Sequence, residues 1–183
     1  MRSNLFEKNI VKILTYFLIS PGSRYTRKEI KEKTKMNNVP LDNTLTKLKN
    51  LKLLNENKKI YELNFKIEKN KEIFEIISSE YKYFNIPHEI FNIILETEEK
   101  LARNKTVKSM ILFGSYAKLI HTENSDIDIA IITKSKTKKQ TDKIKKETKI
   151  LNKNLELHFF EENDLKANDP LIKDILRNGK VIF

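Results

Sequence analysis

Cysteine is missing from this 183-residue chain, which excludes disulfides and thiolate metal sites and, with no secretory pattern in view, fits a cytoplasmic protein. Glycine is scarce at three residues, and the G-x-x-x-x-G-K pattern of a Walker P-loop does not occur. Long apolar runs are lacking too. The stretch from Ile10 to Ile19 is interrupted by Lys12 and is far too short to span a bilayer, so no signal or membrane segment is expected. No internal repeat or low-complexity segment stands out. Against these absences, 39% of the residues are hydrophobic and 33% charged, enough apolar material for a core in one ordinary domain or two small ones.

The net charge of +11 is unevenly spread. Residues 1–66 hold 15 Lys/Arg and 6 Asp/Glu, a balance of +9, while residues 67–183 hold 21 and 19, a balance of +2. A basic N-terminal module joined to a nearly neutral one places any contact with a polyanion on the former.

From Leu5 to Ile19, Phe6, Ile10, Ile13, Leu14 and Phe17 recur at spacings of three and four, the stripe of an amphipathic helix that Pro21-Gly22 stops. Thr26 can cap a short helix carrying Ile30. After Met36-Asn37-Asn38, Pro40 opens another helix with Leu41, Leu45 and Leu48 facing inward. Residues 53–56 and 59–63 read as two strands around Asn57-Lys58. Three short helices and a hairpin resemble the winged helix-turn-helix family over about residues 5–65. In that family the third helix enters the major groove of DNA and the wing touches the backbone. The resemblance implies a groove face of Asn43, Thr46, Lys47 and Asn50, with Lys49, Lys58 and Lys59 on phosphates. Solvated polar faces or a protein-docking module are the alternatives.

Residues 67–87 read as a linking helix with Ile73, Phe74, Ile76, Ile77 and Tyr81 on its apolar side, ended by Ile86-Pro87. A mixed α and β unit follows over residues 88–183: a helix over 89–103, strands over 107–113, 126–133 and 155–160, and a Lys-rich helix over about 137–152. The fold class expected for the whole chain is α+β, with a mixed sheet flanked by helices in the second module.

The most informative residues are Gly114-Ser115, placed directly after the apolar strand Ile111-Leu112-Phe113, and Asp126-Ile127-Asp128, with ten residues between the serine and Asp126. This spacing resembles the G-S-x10-D-x-D pattern of the minimal nucleotidyltransferases of the polymerase-beta-like superfamily. Physical chemistry points the same way. A strand running through Gly-Ser into a helix offers free N–H groups and a positive dipole end to phosphates. Gly114 permits close approach, Ser115 adds a hydroxyl, and Lys118 one turn on adds a point charge. On a strand, Asp126 and Asp128 share a face, and their mutual repulsion is relieved by Mg²⁺ or Mn²⁺ carrying a triphosphate. The family places a third acid on a neighbouring strand, binding a second metal and acting as general base. Glu156, between apolar neighbours in Leu155-Glu156-Leu157, is the candidate, and His158 shares its face. Leu119 stands where the family usually has glycine. His88, His121 and His158 show no metal-ligand spacing among themselves, so no zinc site is expected.

The resemblance implies metal-dependent transfer of a nucleoside monophosphate, AMP from ATP in the first place or from another NTP, to a hydroxyl. The acceptor is a partner protein, an RNA end or a small molecule; relatives of this size include antitoxins that adenylylate a toxin. The rival readings are a DNA-binding regulator whose second domain senses a nucleotide without turnover, and an adaptor whose winged helix recruits a protein. The sequence leaves the oligomeric state open, a dimer included.

Overall fold

The computed structural model describes residues 7–135, 137–166 and 168–183. Leu5 and Phe6, where the sequence pattern starts the first helix, lie outside these residues. The chain divides into two units, one ending at Asn92 and one running from Ile93 to Phe183.

In the first unit, helix α1 (Lys8–Ile19) buries Ile10, Ile13, Leu14 and Phe17, the stripe set by the three-and-four spacing. A short strand β1 (Tyr25–Thr26) leads into α2 (Arg27–Thr34). Its start is fixed by a capping box: the Thr26 hydroxyl accepts from the Glu29 N–H, and the Glu29 carboxylate accepts from the Thr26 N–H at 2.7 Å. Helix α3 (Asn38–Asn50) carries Pro40 in its first turn, where a missing N–H breaks no helical bond, and buries Leu41, Leu45 and Leu48. Strands β2 (Leu54–Asn57) and β3 (Ile60–Leu63) pair antiparallel, and the sheet order is β1-β3-β2.

The hairpin loop is Lys58-Lys59, one residue later than the expected Asn57-Lys58, because Asn57 itself pairs with Ile60. Both lysines are left-handed, at φ 49 and 64, the backbone that a two-residue hairpin needs to match the strand twist. Helix α4 (Glu68–Phe84), expected as a link, packs against α1 and buries Phe74, Ile77 and Phe84. It therefore belongs to the first unit's core, and the division falls later, inside helix α5 (His88–Ala102).

The second unit contains β4 (Val107–Leu112), α6 (Gly114–Lys118), β5 (Ile127–Thr133), α7 (Lys138–Lys149), β6 (Leu155–Glu161), α8 (Pro170–Asn178) and β7 (Lys180–Val181), with the 3-10 turn Asp164–Lys166 before α8. Its sheet has the order β6-β5-β4-β7. Strands β5 and β6 are parallel, with α7 as the crossover that parallel pairing requires, whereas β4 runs antiparallel to both neighbours. One face buries Met110, Leu112, Ile127, Ile129, Ile131, Leu155 and Leu157. The other carries Phe113, Ala130 and the α8 residue Ile175, flanked by Ile111 and Phe160. Asp169 caps α8 by accepting from the Leu171 N–H at 2.7 Å, and Pro170 opens it. A Cβ on Gly179 would lie 2.6 Å from Ile111 Cγ2, so glycine lets the end of α8 settle onto β4. Among the described residues no helix is long and apolar enough to cross a membrane.

His88 ties α5 into the first unit. Its Nε2 lies 3.3 Å from the Lys12 carbonyl, and its ring is flanked by Tyr16 and Tyr81. Burial pushes its pKa below the ordinary histidine value; the contact with the Lys12 carbonyl opposes this, and the charges of Lys12 and Lys33 add to it. The unfolded chain then takes up a proton that the folded one resists. Stability is full above the ordinary imidazole value of about 6.5 and is lost as pH falls below it. Lowering the pH from about 7.5 to about 5.5 is expected to lower the melting temperature of the first unit, and H88Q to flatten that slope. An unchanged slope in H88Q, measured by circular dichroism, would assign the acid sensitivity elsewhere.

Candidate active site

Strand β4 ends at Leu112, and the extended Phe113 hands the chain to Gly114 at φ 69. Glycine is required here twice over. The left-handed backbone disfavours a side chain, and a Cβ would stand 2.3 Å from Asp128 Oδ2. The Phe113 N–H donates to the Asp128 carbonyl at 3.0 Å, clamping the turn to the start of β5. At its other end α6 is closed by Leu119 at φ 61, with the Ile120 N–H donating to the Ser115 carbonyl at 3.0 Å and the Leu119 N–H to the Tyr116 carbonyl at 3.4 Å. Glycine is the usual residue at such a stop. Leu119 keeps the turn at a cost of about 1–2 kcal/mol of backbone strain.

The parallel register sets Asp128 opposite Glu156 and Ala130 opposite His158. Side chains two apart share a face, and one ligand atom each from Asp128, Glu156 and His158 lies within 4.8 Å of the others. His158 Nε2 is 3.5 Å from Asp128 Oδ1 and 3.8 Å from Glu156 Oε2. This nitrogen is buried and makes no hydrogen bond. The ring is held edge-on by Phe113, with centroids 5.2 Å apart.

Of the two aspartates expected to share a face, Asp128 lies within β5 and the exposed Asp126 immediately before it, where the Ile127 N–H donates to the Asn154 carbonyl at 2.8 Å. Glu156 stands opposite Asp128, and His158, expected on the Glu156 face though not as a metal ligand, is the remaining member of the group. Cross-strand register brings it in, and linear spacing does not encode register.

Ser115 sits half-buried in the first turn of α6. Lys118 is committed to the fold: its ammonium pairs with Asp174 on α8 at 2.8 Å. That bond, with a second from Asn178, holds the Asp174 carboxyl below the ordinary carboxylate range. A cleft of ≈ 420 Å³ runs along β6, lined by Glu156, His158, Lys145, Lys149, Phe159 and Phe160 among others.

In the first unit, Asn43, Thr46, Lys47 and Asn50 are exposed on α3, and Lys58 and Lys59 at the hairpin tip. Lys47 pairs with Glu7 at 2.6 Å and the half-buried Lys49 with Glu56 at 2.5 Å, which raises the Lys49 pKa above its ordinary value. Two of the four lysines assigned to phosphate or groove contact are thus already engaged.

Two carboxylates and an imidazole nitrogen are a donor set that fits a divalent metal. The unpartnered buried Nε2 of His158 fits it as well. Residues 96–183 match the family model described as "Polymerase beta, Nucleotidyltransferase", a span holding the whole of this group. The second unit is therefore similar to nucleotidyltransferase domains. No curated protein matches the chain.

The two left-handed positions should respond oppositely. G114A is expected to destabilise the second unit by about 1–2 kcal/mol and to displace Asp128, whereas L119G is expected to stabilise it by about 1 kcal/mol. Urea unfolding checks both, and equal signs would contradict the geometry.

Proposed function

We propose that the second unit transfers a nucleoside monophosphate from an NTP, ATP in the first place, to a hydroxyl acceptor. The observation that supports this most is the convergence of Asp128, Glu156 and His158 beside the Gly114 turn, inside the segment that matches the nucleotidyltransferase model. The acceptor oxygen attacks the α-phosphorus, the bond from that phosphorus to the bridging oxygen breaks, and pyrophosphate leaves. Glu156, which lines the cleft, receives the hydroxyl proton. Asp128 and His158 hold the metal with Glu156, and Mg²⁺ or Mn²⁺ there supplies charge neutralisation of the triphosphate. The first-turn N–H groups of α6, with Ser115, meet phosphate oxygens. Asp126, exposed just before β5, would be the further carboxylate ligand. The acceptor hydroxyl is that of a partner protein, an RNA end or a small molecule that reaches the cleft beside Glu156.

Incubating the full chain with labelled ATP and either Mg²⁺ or Mn²⁺ tests this reading. D128N is expected to abolish metal-dependent ATP binding. E156Q should retain binding but lose transfer by about a hundredfold or more, the usual size of a general-base effect. Transfer by E156Q at the wild-type rate would remove the proposed base, and ATP affinity unaffected by metal would remove the site.

A second reading concerns the first unit and is favoured by its charge of +9 over residues 1–66. The order α1-β1-α2-α3-β2-β3 supports a winged helix-turn-helix reading, and we propose duplex DNA as its ligand. Lys58 and Lys59 are the exposed contacts, because Lys47 and Lys49 must first leave Glu7 and Glu56. K58E/K59E is therefore expected to weaken duplex binding more than K47E/K49E, and to flatten the salt dependence. Equal losses in the two double variants, or no duplex binding by the wild type at low salt, would remove this reading.

A further inference from the structure

We propose that His158 is a direct metal ligand and that it makes the site selective for a divalent transition metal over Mg²⁺. This rests on the metal-dependent reading above and deepens it. Magnesium demands oxygen donors, whereas imidazole nitrogen favours metals further along the first row. A site of carboxylates alone has little means of discriminating Mn²⁺ from Mg²⁺; a site with one nitrogen does.

Three observations carry the assignment. His158 Nε2 is buried and makes no hydrogen bond, although two carboxylate oxygens lie 3.5 and 3.8 Å away. A protonated Nε2 serving as a plain ion-pair partner would close to about 2.7–2.9 Å on one of them. Metal–ligand bonds of about 2.1 Å set neighbouring donors about 3.0–3.4 Å apart, and the observed separations approach that spacing. Finally, the ring cannot easily turn away, because Phe113 packs against it edge-on from the clamped end of β4.

The test is titration of the full chain, without nucleotide, with Mn²⁺ and separately with Mg²⁺, followed by calorimetry and by the shift in melting temperature. The wild type is expected to prefer Mn²⁺. H158Q should lose at least about tenfold in Mn²⁺ affinity while changing little for Mg²⁺, and H158N serves if H158Q fails to fold. Pulsed EPR of the Mn²⁺-loaded wild type should show coupling to a nitrogen nucleus that H158Q lacks. An unchanged Mn²⁺ to Mg²⁺ ratio in H158Q, or no nitrogen coupling in the wild type, overturns the inference. If D128N still abolishes metal binding in that case, the metal-dependent transferase reading stands without it. Absence of any metal binding overturns both.

Discussion

A Cβ at Gly114 would collide with Asp128, and the working end of the second unit is arranged around that near-contact. The missing side chain brings the first turn of α6 down onto a carboxylate, where the positive end of the helix meets a negative group. It also fixes Phe113, whose N–H closes onto the Asp128 carbonyl while its ring holds His158. The far end of α6 is tied by Lys118 to Asp174 on α8, the helix whose Ile175 covers Ala130 on the same face. A change at Gly114 therefore reaches every member of the group through neighbours one contact away.

Much of this was legible in the sequence, for reasons that differ by element. The spacing of Ile10, Ile13, Leu14 and Phe17, and the Thr26/Glu29 cap, are local signals, and local signals survive into structure. The Gly-Ser turn was legible because glycine is so rare here that one after an apolar strand demands a cause. Helix α8 was not read from the sequence, and its place over Ala130 depends on packing that no spacing records. His158 is the clearest case. Its membership of the group follows from a parallel register in which Ala130 faces His158, and a one-residue slip would have turned it to the other face. The helix over residues 68–84 looked like a link because its apolar stripe has no partner nearby in sequence; α1 supplies one.

With three glycines available, the chain places lysine, leucine and asparagine at left-handed positions: Lys35, Lys52, Lys58, Lys59, Asn85 and Leu119 all have positive φ. Each such non-glycine residue costs about 1–2 kcal/mol, so the turns persist because the flanking ladders and helix ends over-determine them. At Lys58-Lys59 the strain coincides with two exposed charges at a hairpin tip. That arrangement is costly for folding and useful for meeting a polyanion. Basic residues on α3 and at its C-terminal end are treated differently, with Lys47 and Lys49 neutralised by Glu7 and Glu56. Lys58 and Lys59 at the hairpin tip are thus exposed where Lys47 and Lys49 are paired, a difference that counting lysines would miss.

Exposure across the three converging side chains is graded, from 23% at Asp128 through 33% at His158 to 55% at Glu156. The gradient follows from sheet order, since β5 is an inner strand and β6 an edge strand. A half-buried carboxylate and a packed imidazole hold their positions by contacts already made, so little ordering entropy would remain to be lost if a cation bound them. Glu156 is the most exposed of the three and lines the cleft. In the proposed role of proton acceptor, such exposure would let the acceptor rather than the fold set the final distance. The same edge position leaves β6 without a strand on its outer side among the described residues. Under the proposed transfer, the inner strand would hold the metal and the edge strand would meet the acceptor.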